Sequence, residues 1–229
     1  MSDDPGGDRA LDLLGLLFQA HPWHGVSIGP EAPRVVTAYI EIVPTDTVKY
    51  EIDKASGHLK VDRPQQLSNV CPTLYGLIPR TFCGARVAAF GEEKGDRAAL
   101  EGDGDPMDIC VLSERQLSHG DVLLQAVPVG GLRLIDRHQA DDKIVAVLKG
   151  DAAYGHCTEI GELPEPLIER LKHYFLTYKL PPGAARDPIQ IPRVYGAAEA
   201  REVIERSRAD YRERFPQLED RFVEALQKG

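Results

Sequence analysis

The chain has few of the features that mark secreted, zinc-binding or nucleic-acid-binding proteins. Its four cysteines include no Cys-x-x-Cys pair, so neither a zinc site nor a disulfide framework is indicated, and reduced intracellular thiols fit better. Positive charge is also scarce, because 27 Lys and Arg face 36 Asp and Glu and leave a formal net charge of −9. Nucleic acids and anionic membranes need a basic surface, so general affinity for either is not expected.

Long apolar runs and several well-known motifs are missing too. Residues 13–18 are apolar, but they are too few to span a membrane and they follow Asp12. The first residues, Met-Ser-Asp-Asp, lack the basic region of a secretory signal, so we expect a cytoplasmic protein. The absence of a Gly-x-x-x-x-Gly-Lys-Ser/Thr loop argues against a P-loop NTPase, and no Gly-x-Ser-x-Gly elbow occurs.

Short β-branched runs separated by Gly, Pro and Asp turns dominate the middle of the chain. This pattern favours a closed β-barrel, whereas helical periodicity appears only late in the sequence. We expect residues 1–33 to form an extension and residues 34–229 a barrel domain with C-terminal helices. The predicted strands are 35–43, 47–52, 58–61, 86–90, 108–112, 122–129, 131–135 and 143–148, and the predicted helices are 10–20, 167–178 and 197–226. Residues 183–196 are predicted to form a loop that is extended over 189–194.

The most informative stretch is Gly-Asp-Gly-Asp-Pro-Met-Asp at residues 102–108. Its carboxylates, Asp103, Asp105 and Asp108, fall within six positions. Two such groups 4 Å apart would repel by about 4 kcal/mol in a surface-like dielectric. Either they point apart into water, or a cation such as Mg²⁺, Mn²⁺ or Ca²⁺ lies among them. Taken alone, the stretch is more often a solvated turn.

A second acidic cluster favours a cation site over a solvated turn. Asp136 and Asp141, with Lys143 beside them, follow another apolar strand, and loops of this kind can meet at one rim of a barrel. Lys49 and Glu51 are two residues apart and therefore face the same side of a predicted strand. Carboxylates for divalent cations, combined with Lys and Arg for phosphate oxygens, are suited to phosphoryl transfer to water.

Together these residues resemble the soluble family I inorganic pyrophosphatases. The resemblance covers about residues 34–226 and is carried by motifs in the family's order and spacing. These are VKYEIDK (48–54), SG (56–57), VDR (61–63), YG (75–76), DGDPMDI (103–109), PVG (128–130), Asp136 with Asp141 and Lys143, IVAV (144–147) and YK (178–179). The resemblance implies an α+β fold that is mainly β, with an OB-like closed barrel and flanking helices. It also implies a homo-oligomer that hydrolyses inorganic pyrophosphate to two phosphates with several Mg²⁺ ions per active site, Mn²⁺ or Zn²⁺ being able to substitute.

The resemblance further implies a role for each of thirteen residues. Asp105 would act as general base on a metal-bridging water. Metal ions would be held by Asp103, Asp108, Asp136 and Asp141, with help from Glu51 and, through water, from Glu41. Phosphate oxygens would be bound by Lys49, Arg63, Tyr75, Lys143, Tyr178 and Lys179.

Two positions depart from the common bacterial pattern, and two other functions stay open. Cys71 stands where an active-site tyrosine is usual, and Arg137 stands where an acidic residue is usual. These departures are the support for a non-catalytic protein that binds metal and phosphate on the same barrel. A hydrolase of larger diphosphates such as nucleotides would need a pocket in which a base could stack. The sequence does not indicate one, because only 7% of its residues are aromatic and it has no basic groove.

Overall fold

The computed structural model describes residues 20–66, 68–96, 99–179 and 189–216. Ten strands and three α-helices lie in these ranges. The strands are β1 (Val36–Ile42), β2 (Val48–Ile52), β3 (Leu59–Pro64), β4 (Leu74–Leu77), β5 (Glu101–Gly102), β6 (Asp108–Leu112), β7 (Val122–Asp136), β8 (Gln139–Ala140), β9 (Lys143–Leu148) and β10 (Ile189–Gly196). The helices are α1 (Ala85–Glu93), α2 (Glu165–Thr177) and α3 (Ala197–Arg214).

Five of the strands close into a ring. β1 pairs with β4, β4 with β6, β6 with β9, β9 with β7, and β7 returns to β1. Four of these pairings are antiparallel, and the pairing of β6 with β9 is parallel. Closing the ring pairs the strand edges that an open sheet would expose. The prediction of a mainly β fold with an OB-like closed barrel and flanking helices is confirmed.

The helices cover two layers of the core. Val36, Ala38 and Ile40 alternate along β1 and belong to one apolar cluster, which also contains residues of α1 and α3. Leu132 and Leu134 of β7 belong to a second cluster, which contains the apolar face of α2. Each helix therefore buries its apolar stripe against the strands. Within the described ranges, no helix has the length and apolar character needed to cross a membrane.

One predicted strand, residues 86–90, is wrong, because these residues form most of α1. Arg86 is followed by a short apolar run, residues 87–90, and periodicity does not tell a strand from a buried helix over so short a run. The residues that the helix buries, Val87, Ala88, Phe90 and Gly91, instead follow the spacing of one helical face. Neighbouring alanines, which are strong helix formers, support the observed structure.

The two strands predicted at 122–129 and 131–135 are a single long strand, β7. Its register against β9 shifts between Pro128 and Gly130, and this bulge takes the place of the break that was predicted at Gly130. The length of β7 matters for the architecture, since it lets one strand pair with β1, β8, β9 and β10.

Two helix predictions extend past the described ranges. The predicted helix at 10–20 lies outside them except for its last residue, and so does the end of the helix predicted at 197–226. The boundary placed at residue 33 stays a prediction. Residues 20–33 pack on the main body through Trp23, whose side chain is buried against Tyr211 and Phe215.

Candidate active site

A pocket of about 330 Å³ opens beside the amino ends of β6 and β9. All thirteen predicted site residues line it, so the structure brings together carboxylates, cations and tyrosines that are spread over 139 positions of the sequence, from Glu41 to Lys179. The lining residues are Glu41, Lys49, Glu51, Ile52, Lys54, Asp62, Arg63, Tyr75, Leu77, Asp103, Asp105, Pro106, Asp108, Asp136, Gln139, Asp141, Lys143, Tyr178 and Lys179.

The two acidic loops meet because β6 and β9 are parallel neighbours in register. Asp108, the first residue of β6, lies opposite Lys143, the first residue of β9. The segments that precede the two strands therefore lie side by side, one carrying Asp103 and Asp105 and the other carrying Asp141. An antiparallel pairing would have placed these segments at opposite ends of the ring.

The loop before β6 is held in a tight turn. The Asp105 N–H donates to Asp103 Oδ1 at 2.9 Å, and the Asp105 carbonyl accepts from the Cys83 N–H at 2.8 Å. Gly104 has a φ of +77°, a conformation that glycine adopts at low cost. A Cβ on Gly102 would lie 2.1 Å from the Cys83 carbonyl oxygen. The glycines of the motif are thus required by the backbone, while the aspartates are free to face the pocket.

Lys143 lies between the two loops. Its ammonium group is buried and contacts the carboxylates of Asp108 and Asp141. Burial alone would lower the pKa of Lys143, but these two carboxylates hold it well above its ordinary value. Burial and the neighbouring Asp141 raise the pKa of Asp103 well above its usual range. The Tyr75 hydroxyl donates to Asp108 at 2.6 Å, and burial raises the pKa of that hydroxyl.

The hairpin of β2 and β3 forms another wall of the pocket. Lys49 and Arg63 lie opposite each other in its register, and Lys49 donates to Glu51 at 3.0 Å. Glu41, only 5% exposed, accepts a 2.6 Å hydrogen bond from the Ile52 N–H and so links β1 to this hairpin. Burial raises the pKa of Glu41 to about 8. The Nη2 atom of Arg63 is buried and has no hydrogen-bond partner within the described part of the chain.

The residues after α2 complete the pocket. Lys179 donates to Asp136 at 2.8 Å, and its ammonium group lies 5.4 Å from the centre of the Tyr178 ring. The guanidinium carbon of Arg63 lies 5.5 Å from the centre of the same ring. Burial raises the pKa of the Tyr178 hydroxyl, so it remains a neutral donor at physiological pH. This side of the pocket therefore offers several donors to an anion.

Negative charge is in excess around the pocket. Eight carboxyl side chains and five Lys or Arg side chains line it. Several carboxylates are paired with lysines, including Asp105, which contacts Lys54. Across the described ranges, no group of three or more His, Cys, Asp or Glu side chains is arranged around a common point in the way that a metal ion requires. The donor chemistry nevertheless suits hard divalent cations, since carboxylate oxygens outnumber the available positive charges.

A buried ion network lies behind the second acidic loop. Arg133 of β7 has no exposed surface and donates to Asp142 at 2.7 Å and to Glu199 at 3.0 Å, with Asp96 3.1 Å away. Arg193 also pairs with Asp96 and Glu199. Burial raises the pKa of Asp142 to about 7, although Arg133 opposes this shift. Asp142 is bonded to Arg133 at the back of the loop, and this bond fixes the preceding residue, Asp141, in the pocket lining.

Six lining residues were not predicted as site residues, and three of them, Lys54, Asp62 and Gln139, have polar side chains. Lys54 and Asp62 belong to motifs that carried the family resemblance, and that was the available signal for them. Asp62 accepts from Lys49 at 2.9 Å and from Arg63 at 2.6 Å, so it orients both cations. No sequence signal singles out Gln139.

The two unusual positions are separated from the pocket lining. Cys71 is fully buried and reduced, and burial raises the pKa of its thiol to about 12. Arg137 is exposed in the turn between β7 and β8 with a φ of +59°. Neither residue lines the pocket as the described residues form it.

Comparison with known proteins identifies the family. The sequence model of the inorganic pyrophosphatase family matches residues 38–212. The chain is 47% identical over 196 residues to the inorganic pyrophosphatase of Chlamydia trachomatis serovar L2, an alignment that covers 84% of this chain and 94% of that protein. The chain belongs to the inorganic pyrophosphatase family.

More distant family members agree. The soluble inorganic pyrophosphatase of Oryza sativa subsp. japonica is 41% identical over 160 residues, covering 70% of this chain and 66% of that protein. The crystal structure of inorganic pyrophosphatase from Thermus thermophilus superposes with a TM-score of 0.70 at 29% identity, covering 84% of this chain and 99% of that one. The resemblance drawn from the motifs is confirmed at the level of both sequence and fold.

Proposed function

We propose that this chain hydrolyses inorganic pyrophosphate to two phosphates in the pocket beside β6 and β9. Its membership of the inorganic pyrophosphatase family supports the activity. The observation that carries the proposal for the site is the convergence of two acidic loops around Lys143, with phosphate-binding cations and tyrosines on the facing walls. Such a pocket can neutralise an anion and activate water in one place.

Divalent cations fit the carboxylate side of the pocket. Burial makes the ionised form of Asp103 costly unless a cation lies nearby, and the same applies to Asp141, whose pKa burial also raises. We assign Asp103, Asp108 and Asp141 to a first Mg²⁺ site, with Asp136 and Asp141 serving an ion that arrives with the substrate. Glu51 is assigned to a further ion, with Glu41 as an outer support. Bound Mg²⁺ supplies charge neutralisation and lowers the pKa of a bound water.

Asp105 is the proposed general base. It lies between Asp103 and Asp108 in the turn, and its side chain is 46% exposed, so a water molecule can reach it from the pocket. Lys54 contacts its carboxylate at the edge of the pocket. Removing the proton from the attacking water as the bond to phosphorus forms is the step that a carboxylate at this position performs.

The cations and tyrosines of the other walls bind the substrate. Arg63 presents a buried Nη2 donor without a partner in the described ranges, which a phosphate oxygen would satisfy. Lys143 and the hydroxyls of Tyr75 and Tyr178 reach the same space. Because Lys143 and Lys179 already contact carboxylates, cations that bind those carboxylates would free the two lysines for phosphate oxygens, which favours a metal–pyrophosphate substrate.

A phosphate-release assay tests the proposed function. The wild-type chain is incubated with pyrophosphate or with ATP, each with Mg²⁺ and with excess EDTA. We expect rapid release from pyrophosphate with Mg²⁺, almost none with EDTA, and far slower release from ATP, because charged side chains make up most of the pocket lining and suit a phosphoanhydride better than a nucleobase. Equal rates with ATP would favour a hydrolase of larger diphosphates. Binding of pyrophosphate without phosphate release would favour a non-catalytic protein.

Three finer expectations remain predictions. The family resemblance implies a homo-oligomer and the use of Mg²⁺, with Mn²⁺ or Zn²⁺ able to substitute, and the lack of a basic N-terminal region predicts a cytoplasmic location. Repeating the phosphate-release assay with each metal in turn ranks the metals directly.

A further inference from the structure

The segment before the family-matched region reaches the active-site loop through two hydrogen-bonded residues. Trp23 is 4% exposed and lies outside residues 38–212, which match the family. Its carbonyl accepts from the Arg80 N–H at 2.9 Å, and its indole Nε1–H donates to the Thr81 carbonyl at 2.7 Å. Trp23 therefore holds both ends of a dipeptide that lies next to the pocket-forming strand β4.

Thr81 passes this restraint on to the loop of residues 103–108. Its side chain has no exposed surface, and its hydroxyl donates to the Ile78 carbonyl at 2.6 Å while accepting from the Met107 N–H at 2.9 Å. The flanking backbone also binds the loop, since the Ile78 N–H donates to the Met107 carbonyl at 2.9 Å. The bond from the Met107 N–H to the Thr81 hydroxyl involves a side chain, so a substitution can remove it. The bond between Ile78 and Met107 joins two backbone groups and would remain.

We propose that Trp23 and Thr81 are positioning residues that hold the loop in the conformation presenting Asp103 and Asp108 to Mg²⁺. The inference rests on the metal-binding role proposed above for this loop. Without the Thr81 hydroxyl, the N–H of Met107 loses its partner in a buried position, and the backbone between Asp105 and Asp108 shifts to find another. Carboxylates displaced in this way bind a cation more weakly, because binding depends on their geometry.

Trp23 also provides a spectroscopic readout, since it is the only tryptophan of the chain. Its ring stacks on His24 at 4.4 Å and meets Phe215 edge-on at 5.5 Å. Burial lowers the pKa of His24 to about 4, so this ring stays neutral at the pH of the assay and does not itself titrate. If the loop and Trp23 are coupled, adding Mg²⁺ to the wild-type chain changes the tryptophan emission.

The test compares Thr81→Val with Thr81→Ser and with the matched control Thr37→Val. Thr37 is another buried threonine whose hydroxyl accepts a side-chain hydrogen bond, from Gln125 at 3.0 Å, but it does not line the pocket. We expect Thr81→Val to weaken Mg²⁺ binding about tenfold, which corresponds to ~1.4 kcal/mol. Its Mg²⁺-dependent emission change should shrink as well. The Mg²⁺ affinities of Thr81→Ser and Thr37→Val should stay within about twofold of the wild-type affinity. Calorimetry and Trp23 emission measure the binding in parallel.

The outcomes separate the two proposals. If wild type neither binds Mg²⁺ nor releases phosphate, the proposed function fails. If wild type does both but Thr81→Val matches Thr37→Val, or Thr81→Ser fails to restore binding, the positioning role is overturned. Should Thr81→Val not fold, Trp23→Phe is the deciding variant, because it keeps an aromatic ring and removes the Nε1–H that binds Thr81. Its Mg²⁺ binding is measured by calorimetry alone, since the variant has no tryptophan emission. Weaker Mg²⁺ binding in Trp23→Phe supports the proposal, and binding equal to wild type refutes it.

Discussion

The Asp105→Asn variant is expected to hydrolyse pyrophosphate about 10²- to 10⁴-fold more slowly than wild type, the range that general base catalysis contributes. The substitution keeps the size of the side chain and its place in the turn, but an amide cannot accept the proton of the attacking water. The Asp103 side chain accepts from the backbone N–H of residue 105, a bond that the change leaves intact. The measurement is kcat at saturating Mg²⁺ and pyrophosphate.

The interpretation depends on metal binding being preserved. Calorimetric titration of the Asp105→Asn variant with Mg²⁺ should give an affinity close to that of wild type, since Asp105 is assigned to the proton and not to a first metal. The control is Glu169→Gln, a carboxylate-to-amide change on the exposed face of α2 whose partner is Lys172. It should leave kcat unchanged. Near-wild-type turnover of Asp105→Asn with intact Mg²⁺ binding would show that another group accepts the proton.

The second large effect is on stability. Arg133→Met is expected to lower the free energy of unfolding by about 3–5 kcal/mol, because it leaves the buried Asp142 carboxyl without its cation, so that this group must either stay charged in the interior or take up a proton. Asp96 and Glu199 retain Arg193 as a partner, whereas Asp142 depends on Arg133, and its Oδ1 atom already has no hydrogen-bond partner in the described ranges. Urea-induced unfolding followed by circular dichroism measures the change.

A matched control and a double variant test the cause. Arg206→Met removes a partly exposed arginine that pairs with Glu93 and Glu202, so it should cost less than about 1 kcal/mol. Arg133→Met combined with Asp142→Leu should recover part of the lost stability, because no unpaired charge remains at that point. Equal costs for Arg133→Met and Arg206→Met would mean that the buried network contributes no more than a surface ion pair.

The candidate site could be predicted from the sequence because its chemistry is local in the chain. The turn around Asp105 and the short segment from Asp136 to Lys143 each bring several functional groups together within a few residues, and their order matches a known family. What the motifs could not supply was the reason that the two segments meet. That reason is the parallel pairing of β6 with β9, a non-local contact that places Asp108 opposite Lys143.

The features that were not predicted share this non-local character. The network around Arg133 joins residues of β7, β10 and α3 with two loops, and no short pattern in the sequence points to it. The contact of Trp23 with Thr81 spans 58 positions. The misassigned α1 has a different cause, since Arg86 to Phe90 satisfies both a strand and a helix pattern over so few residues. Tertiary packing against α3 decides between them.

A double-mutant cycle on Mg²⁺ affinity tests most directly whether carboxylates from the two acidic loops hold the same Mg²⁺ ion. Asp108→Asn, Asp141→Asn and the double variant are titrated with Mg²⁺ by calorimetry. We expect each single variant to bind at least about tenfold more weakly, and the double variant to lose clearly less than the sum of the two losses, because both side chains act on one ion. Strictly additive losses, or wild-type affinity in either single variant, would contradict a shared ion.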